Sequence, residues 1–149
     1  MANEPEDIVE YVVGFLFDEN CNQMALIHKQ RPAWQKGFLN GVGGHLKENE
    51  EPIVAMKREA VEEMGVRTSW RTFCQLGDRR HWTVHFFCAF DSEALDSAQT
   101  QTDEEIVRLP VAQAVLSTNV IPNLRWLIPM ALNVRDPRER ANGFIVTET

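Results

Sequence analysis

The stretch from Gly43 to Val66, GGHLKENEEPIVAMKREAVEEMGV, constrains the fold of this chain most strongly. Gly43-Gly44 lacks Cβ atoms and so allows a tight turn and a close approach of the backbone to a neighbour. Pro52 suits the first turn of a helix, where its missing N–H does no harm, and Gly65 is typical of a helix end. The sequence therefore predicts a glycine-led loop followed by a helix with defined ends, its start capped by Asn49 or Glu50.

Three glutamates, Glu59, Glu62 and Glu63, lie within this predicted helix. Residues three and four positions apart are neighbours on a helix surface, so their negative charges are crowded on one side. Such a face is either solvated or a site for Mg²⁺ or Mn²⁺, which prefer hard carboxylate oxygens. A separate apolar stripe would bury the helix beside them. Its residues are Ile53, Met56, Ala60 and Met64.

The stretch resembles, at every defined position, the signature of the Nudix (MutT-like) hydrolase superfamily. The matching residues are Gly44, Glu50, Arg58-Glu59, Ala60, Glu62-Glu63, Gly65 and Val66. A motif of this length with every spacing kept is specific. The resemblance implies an α/β fold, an α/β/α sandwich with a mixed β-sheet between helices, and metal-dependent hydrolysis of a nucleoside diphosphate linked to another group.

The resemblance also implies roles for residues of the motif. Glu59, Glu62 and Glu63 would bind the metal, with the Gly43 carbonyl as a further ligand, and Glu59 or a partner would orient or deprotonate the attacking water. Arg58 is expected to hold the glutamates in place, because it lies four residues before Glu62 and can pair with it on the helix. For Glu50 we favour a supporting position at the loop or helix start over direct ligation.

A later acidic loop offers another metal ligand. In this family an acidic residue from such a loop often completes the site, and Asp103, Glu104 and Glu105 stand at the matching place, before a predicted strand at Ile106. We select Glu104 or Glu105, while an ordinary acidic loop stays an open alternative.

Substrate recognition is expected outside the motif, in three segments that combine aromatic, amide and basic side chains. They are an early loop with Arg31 and Trp34, the run Arg79–Trp82 beginning with Arg79, and a helix start with Asn123 and Trp126. Aromatic rings stack on bases, amides bond to base edges, and arginine meets phosphate or base oxygens. Trp126 is equally well explained as a core residue of an amphipathic helix. His45, next to the glycines, is a candidate for phosphate contact.

The remaining pattern predicts strands before and after the central helix and a second helix near the end. The predicted strands are Ile8–Phe17, Met24–Lys29, Phe38–Val42, Val66–Leu76, Thr83–Phe90 and Ile106–Leu109, and the first two form a hairpin. A helix is expected over Pro122–Asn133, kinked or shortened by Pro129, and a surface loop over Asp91–Thr102. Phe144–Val146 is a candidate edge strand. Residues 1–6 and 134–141 are expected to be frayed or loop-like.

Length and charge limit the classes of function. The 149 residues suit a single domain, and the net charge of −7 disfavours sequence-independent nucleic-acid binding. The three cysteines lack the pairing of a zinc site, and no signal peptide or membrane span is visible, which indicates a cytoplasmic protein with reduced thiols. Exposed strand edges would be compatible with a homodimer.

The sequence thus favours a metal-dependent pyrophosphohydrolase. The expected reaction converts a nucleoside triphosphate, or an oxidised form such as 8-oxo-dGTP, to the monophosphate and pyrophosphate. Two alternatives stay open. One is a hydrolase of another small diphosphate derivative, such as an ADP-sugar, NADH or a dinucleotide polyphosphate. The other is a nucleotide sensor that kept the fold without the chemistry.

Overall fold

The computed structural model describes residues 7–135 and 144–147 and places them around one mixed sheet. The strands are β1 Val9–Phe17, β2 Gln23–His28, β3 Leu39–Asn40, β4 Val42–His45, β5 Arg71–Gly77, β6 Trp82–Phe90, β7 Ile106–Pro110 and β8 Phe144–Thr147. The helices are α1 Pro52–Met64, α2 Ser92–Ser97, α3 Val111–Leu116 and α4 Leu124–Asn133, with a short 3₁₀ turn at Ala33–Gln35.

The sheet is built outward from β1. Strand order is β3-β2-β1-β6-β5-β8, and β1 runs parallel to β6 along its whole length. The other edge of β1 is shared, because β4 pairs with Tyr11–Gly14 and β2 pairs with Leu16 and Phe17. Strands β2 and β4 therefore separate from each other along β1, and this separation brings the glycines of β4 to the middle of the molecule.

Helices cover both faces of this sheet. Along β1, Phe15 and Phe17 pack on one face in the cluster that includes Leu127 of α4. Val12 and Leu16 alternate with them and pack on the other face in the cluster that includes α1 and α2. Because successive strand residues point to opposite faces, β1 serves two cores at once. The α/β/α sandwich expected from the resemblance is confirmed.

Helix α1 has the ends that its sequence predicted, with one shift. Pro52 is its first residue, and Gly65 ends it in the left-handed conformation at φ 67°, with its N–H directed to the Ala60 and Val61 carbonyls. The residue before the helix is Glu51, whose side chain makes no capping hydrogen bond. The predicted cap at Asn49 or Glu50 is therefore wrong by one or two positions, and Glu50 is used elsewhere.

Three further predictions needed correction. The predicted loop after β6 contains helix α2, because Asp91 caps it: its Oδ1 accepts a hydrogen bond from the Ala94 N–H at 2.9 Å. The strand after α1 begins at Arg71 rather than Val66. The predicted strand Phe38–Val42 is divided at Gly41, where a Cβ would approach the Gly14 carbonyl oxygen to 2.7 Å.

Other predictions hold. The β1–β2 hairpin is present, and Phe144–Thr147 forms the outer strand β8, parallel to β5. Helix α4 ends at Asn133 as predicted, but it starts at Leu124, two residues later than expected, and Pro129 does not shorten it. The predictions for residues 1–6 and for 136–141 lie outside the described residues. In the part that the structure describes, no helix is long and apolar enough to cross a membrane.

Candidate active site

A cleft of about 1130 Å³ opens beside the glycines of β4. Two groups of residues line it, and we name them the box wall and the pocket wall. The box wall consists of Gly43, Gly44, Arg58, Glu59 and Glu63. The pocket wall consists of Trp34, Gln35, Asn40, Trp82 and Asn123, with Leu76, Val84, Phe86 and Ile121 as its apolar part.

The glycine pair allows α1 to approach β4 closely. The Gly43 N–H donates a hydrogen bond to Glu63 Oε2 at 3.1 Å. A Cβ on Gly44 would lie 2.5 Å from Glu59 Oε1, and one on Gly43 would collide with the Val12 carbonyl oxygen. Glycine is therefore required at position 43, where β4 passes the backbone of β1, and Gly44 leaves the space that the Glu59 carboxylate of α1 occupies.

Arg58 holds the carboxylates of this wall together. Its guanidinium donates to both oxygens of Glu50 at 2.9 Å, to Glu59 at 2.9 Å and to Glu62 at 3.1 Å. It also reaches the His45 carbonyl oxygen at 3.0 Å, which links α1 to the end of β4. These hydrogen bonds from Arg58, with the Lys47 N–H, lower the pKa of Glu50 to about 2. The predicted Arg58–Glu62 pair is present as one branch of a larger network.

Glu63 is the most perturbed acid of the cleft. Burial, followed by the negative charge of Glu59, raises the pKa of Glu63 to about 8. The Lys29 ammonium and the Gly43 N–H partly oppose this rise in the pKa, and Glu104 adds to it. A cation placed among these carboxylates would offset the crowding, because it favours the ionised form.

The predicted metal ligands are not equivalent in position. Glu59 and Glu63 are largely buried and line the cleft. Glu62 lies at the edge of this face, where its side chain is 53% exposed and paired with Arg58. Glu104 is buried and lines the cleft, whereas Glu105 is exposed and outside it. The structure therefore places Glu104, and not Glu105, at the cleft with Glu59 and Glu63.

The donor chemistry of the box wall suits a hard divalent ion. Between residues 7 and 135 and in β8, no three Asp, Glu, His or Cys side chains converge into a complete ligand set. Mg²⁺ needs no such set, since it is usually held by one or two carboxylates together with water and substrate phosphates. Glu59 and Glu63 supply such a pair, both largely buried at the cleft.

Four of the six predicted substrate-binding residues line the cleft: Arg31, Trp34, His45 and Asn123. Two do not. Arg79 donates from Nε to Thr147 Oγ1 at 3.3 Å, on the edge formed by β5 and β8. Trp126 is 39% exposed on α4, outside the cleft, so neither the predicted base contact nor the alternative of a fully buried core residue describes it.

The sequence did not single out several polar residues of the cleft. Asn40 Nδ2 donates to Gln35 Oε1 at 3.2 Å, and both side chains line the pocket wall. Lys29 lines the cleft and pairs with Glu104 at 3.1 Å. The one available signal was Asn40 itself, a polar residue within the apolar segment FLNGV.

A glycine strand packed onto a glutamate-bearing helix, inside an α/β/α sandwich and beside a cleft of nucleotide size, defines the fold class of the Nudix hydrolases. The sequence model described as "NUDIX domain" matches residues 9–129, and the chain belongs to this family. As such it is a hydrolase that acts on phosphoanhydride bonds of nucleotide derivatives. Nudix hydrolases generally use divalent metal ions.

Solved structures share the fold at low sequence identity. The chain is similar to the NUDIX domain of Shewanella oneidensis NrtR complexed with ADP ribose, at TM-score 0.72, 18% identity and coverage of 87% of this chain and 92% of that one. It is similar to MutT, studied from Aliivibrio salmonicida and Vibrio cholerae, at TM-score 0.68, 17% identity and 85% and 98% coverage. It is also similar to the E. coli ORF135 protein, at TM-score 0.67, 17% identity and 91% and 96% coverage. No curated protein matches the sequence.

Proposed function

We propose that this protein is a Mg²⁺-dependent pyrophosphohydrolase that cleaves a nucleoside triphosphate, including an oxidised one, to the monophosphate and pyrophosphate. The observation that carries the proposal is the composition of one cleft. Its box wall offers buried carboxylates, and its pocket wall offers amide and aromatic side chains within the same 1130 Å³. A nucleotide needs both chemistries, one for its phosphates and one for its base.

The box wall would hold the metal through Glu59 and Glu63, with Glu62 at the edge and the Gly43 carbonyl as a further ligand. A divalent ion bound there offsets phosphate charge and lowers the pKa of coordinated water. Mn²⁺ is expected to replace Mg²⁺, because both prefer oxygen ligands.

The protein side chains would orient the reactants. Arg58 keeps Glu59 fixed through its hydrogen bond of 2.9 Å and ties α1 to β4 through the His45 carbonyl. Glu59 would then orient or deprotonate the attacking water from a defined position. Arg58 acts through these contacts rather than on the substrate, since its donors are already directed at Glu50, Glu59, Glu62 and His45.

The pocket wall would bind the base. Asn123 Oδ1 is buried without a hydrogen-bond partner among the described residues, and its side chain lines the cleft. A buried acceptor without a partner is costly, and a donor on a base edge would satisfy it. Trp34, which is 67% exposed at the rim, offers a surface for stacking, and Arg31 and His45 would contact phosphate oxygens.

A second candidate substrate is an ADP-ribose-like diphosphate. A structural neighbour, the NUDIX domain of Shewanella oneidensis NrtR, was solved as a complex with ADP ribose. An ADP-sugar, NADH or a dinucleotide polyphosphate belongs to the same chemical class. A sensor without catalysis is disfavoured, because every carboxylate of the motif is present and Glu59 and Glu63 line the cleft.

A substrate panel tests the proposal directly. The protein is incubated with Mg²⁺ and with canonical and 8-oxo nucleoside triphosphates, ADP-ribose, NADH and a dinucleotide polyphosphate, and products are separated by ion-exchange chromatography. We expect monophosphate and pyrophosphate in equal amounts from a triphosphate. Cleavage of ADP-ribose or NADH alone would favour the second candidate, and turnover of none would favour the sensor.

Three predictions from the sequence carry over as proposals. We expect the enzyme to work in the cytoplasm, where reduced cysteines agree with the free thiols of Cys21, Cys74 and Cys88. We also expect a single domain over residues 1–149 and a homodimer formed through a strand edge, which sedimentation analysis would test.

A further inference from the structure

Glu104 differs from the other acids of the cleft in its hydrogen-bond partners. Its Oε1 accepts from Lys29 Nζ at 3.1 Å. Its Oε2 accepts from the backbone N–H groups of Gln30 at 2.7 Å and Arg31 at 3.4 Å. The side chain is only 5% exposed, so the carboxylate is bound inside the protein by donors of residues 29–31.

The two backbone donors, Gln30 and Arg31, begin the segment 30–37, which we name the cleft loop. Strand β2 ends at His28, so the amides of Gln30 and Arg31 have no partners from the sheet ladder. A carboxylate that accepts from backbone N–H groups forms charge-assisted hydrogen bonds, which are stronger than neutral ones. Removing Glu104 would leave part-buried amides without a partner, which is costly.

The segment around Glu104 strengthens this connection. Asp103 forms an ion pair with Arg31, and the Glu105 carbonyl oxygen accepts from the His28 N–H at 2.8 Å. The far end of the cleft loop is closed by its own backbone, where the Gly37 N–H donates to the Lys29 carbonyl at 2.9 Å. The loop is thus held at both ends, and Glu104 is the buried side chain that holds its first end.

The cleft loop supplies much of one side of the cleft. Arg31, Pro32, Trp34 and Gln35 all line it. Apart from the short 3₁₀ turn at Ala33–Gln35, the loop has no regular structure, and no residue of that turn is buried. Its position over the cleft is therefore set by its attachments rather than by packing of its own.

We propose that Glu104 is a positioning residue that fixes the cleft loop, and so sets how tightly the nucleotide binds, instead of holding the metal ion. Both of its oxygens accept from the chain, and a cation at Oε1 would lie against the Lys29 ammonium. This inference rests on the proposed function for its kinetic part. It also replaces our sequence-based assignment of Glu104 as a metal ligand.

The structural part is tested by hydrogen exchange on the metal-free and nucleotide-free protein. Glu104→Gln keeps the size of the side chain but removes its charge and one acceptor. We expect the amides of Gln30 and Arg31 to exchange roughly tenfold faster, the scale of losing a charge-assisted hydrogen bond. Glu93→Gln, at an exposed position in α2, is the matched control. Unchanged exchange in Glu104→Gln would overturn the proposal.

The kinetic part separates positioning from metal binding. With the substrate that the panel identifies, Glu104→Gln is expected to raise KM roughly tenfold. It should leave kcat within about twofold and the half-saturating Mg²⁺ concentration unchanged. A large loss of kcat with unchanged KM, or a need for more Mg²⁺, would assign Glu104 to the reaction or the ion and contradict the proposal.

A second variant covers the case in which Glu104→Gln does not fold. Asp103→Asn removes the exposed ion pair with Arg31 and is expected to accelerate exchange across residues 30–37 by about twofold, the scale of a surface ion pair. Unchanged exchange there would count against the proposal. Hydrogen exchange can be measured without any enzymatic turnover. If no substrate of the panel were cleaved, the proposed function would be refuted, and the exchange experiment would still test the role of Glu104.

Discussion

The two walls of the cleft are built in different ways. The box wall comes from one continuous stretch, β4 and α1, and Arg58 joins its parts by hydrogen bonds to Glu50, Glu59, Glu62 and the His45 carbonyl. The pocket wall is assembled from distant segments and keeps a buried oxygen, Asn123 Oδ1, unpaired within the described residues. The wall assigned to the reaction is thus fixed in advance, while the wall assigned to the base is left to be completed by a ligand.

The largest expected effect comes from the carboxylates of the box wall. Glu63→Gln and Glu59→Gln should each lower kcat by about a hundredfold or more, because each removes a charge that would hold the metal. Steady-state kinetics at saturating substrate measures this, with circular dichroism to show that the fold is kept. Activity near that of the unmodified protein would place the chemistry elsewhere.

Glu63 of the box wall should make the free energy of unfolding of the metal-free protein depend on pH. Because the pKa of Glu63 is about 8 in the folded protein and 4.5 ordinarily, the folded state binds more protons between these values. The free energy of unfolding should therefore fall as pH rises from about 4.5 to about 8, by a few kcal/mol at most at about 1.4 kcal/mol per pKa unit. Urea unfolding in EDTA measures it.

Glu63→Gln is the control for this pH dependence. Its free energy of unfolding should decline less than that of the unmodified protein over the same range, since the glutamine does not titrate. Parallel curves for the two proteins would show that Glu63 ionises normally and that the crowding of carboxylates is unimportant.

A steric change tests whether the close contact of strand and helix matters. In Gly44→Ala the new Cβ would lie 2.5 Å from Glu59 Oε1 and displace that carboxylate. We expect kcat to fall roughly tenfold with a small loss of stability, because the end of a flexible side chain can move but then misplaces its charge. Unchanged kcat with the alanine accommodated would indicate that the position of Glu59 is not critical.

Substitutions in the pocket wall should have the smallest effects and should act on binding. Asn123→Ala is expected to raise KM several-fold to tenfold and to leave kcat nearly constant, because it removes a contact to the base and none to the phosphates. Trp126→Ala, in helix α4 that follows Asn123 but outside the cleft, is the control and should leave KM unchanged. Equal effects of the two variants would remove Asn123 from substrate binding.

The difference between the box wall and the pocket wall also explains which features of the site the sequence could predict. The helix Pro52–Met64, its end at Gly65 and the Arg58–Glu62 pair follow from local spacing, so the pattern found them. The hydrogen bond between Asn40 and Gln35 joins a strand to the loop before it, and no periodic sequence pattern indicates such a contact. The different positions of Glu104, buried at the cleft, and Glu105, exposed outside it, likewise depend on the fold and not on a sequence pattern.

Binding of Mn²⁺ to the nucleotide-free protein, measured by electron paramagnetic resonance, tests the central claim most directly. We predict that the unmodified protein binds the ion, that the double variant Glu59→Gln/Glu63→Gln loses this binding, and that Glu93→Gln retains it. Equal binding by the double variant and the unmodified protein would contradict the assignment of the box wall as the metal site.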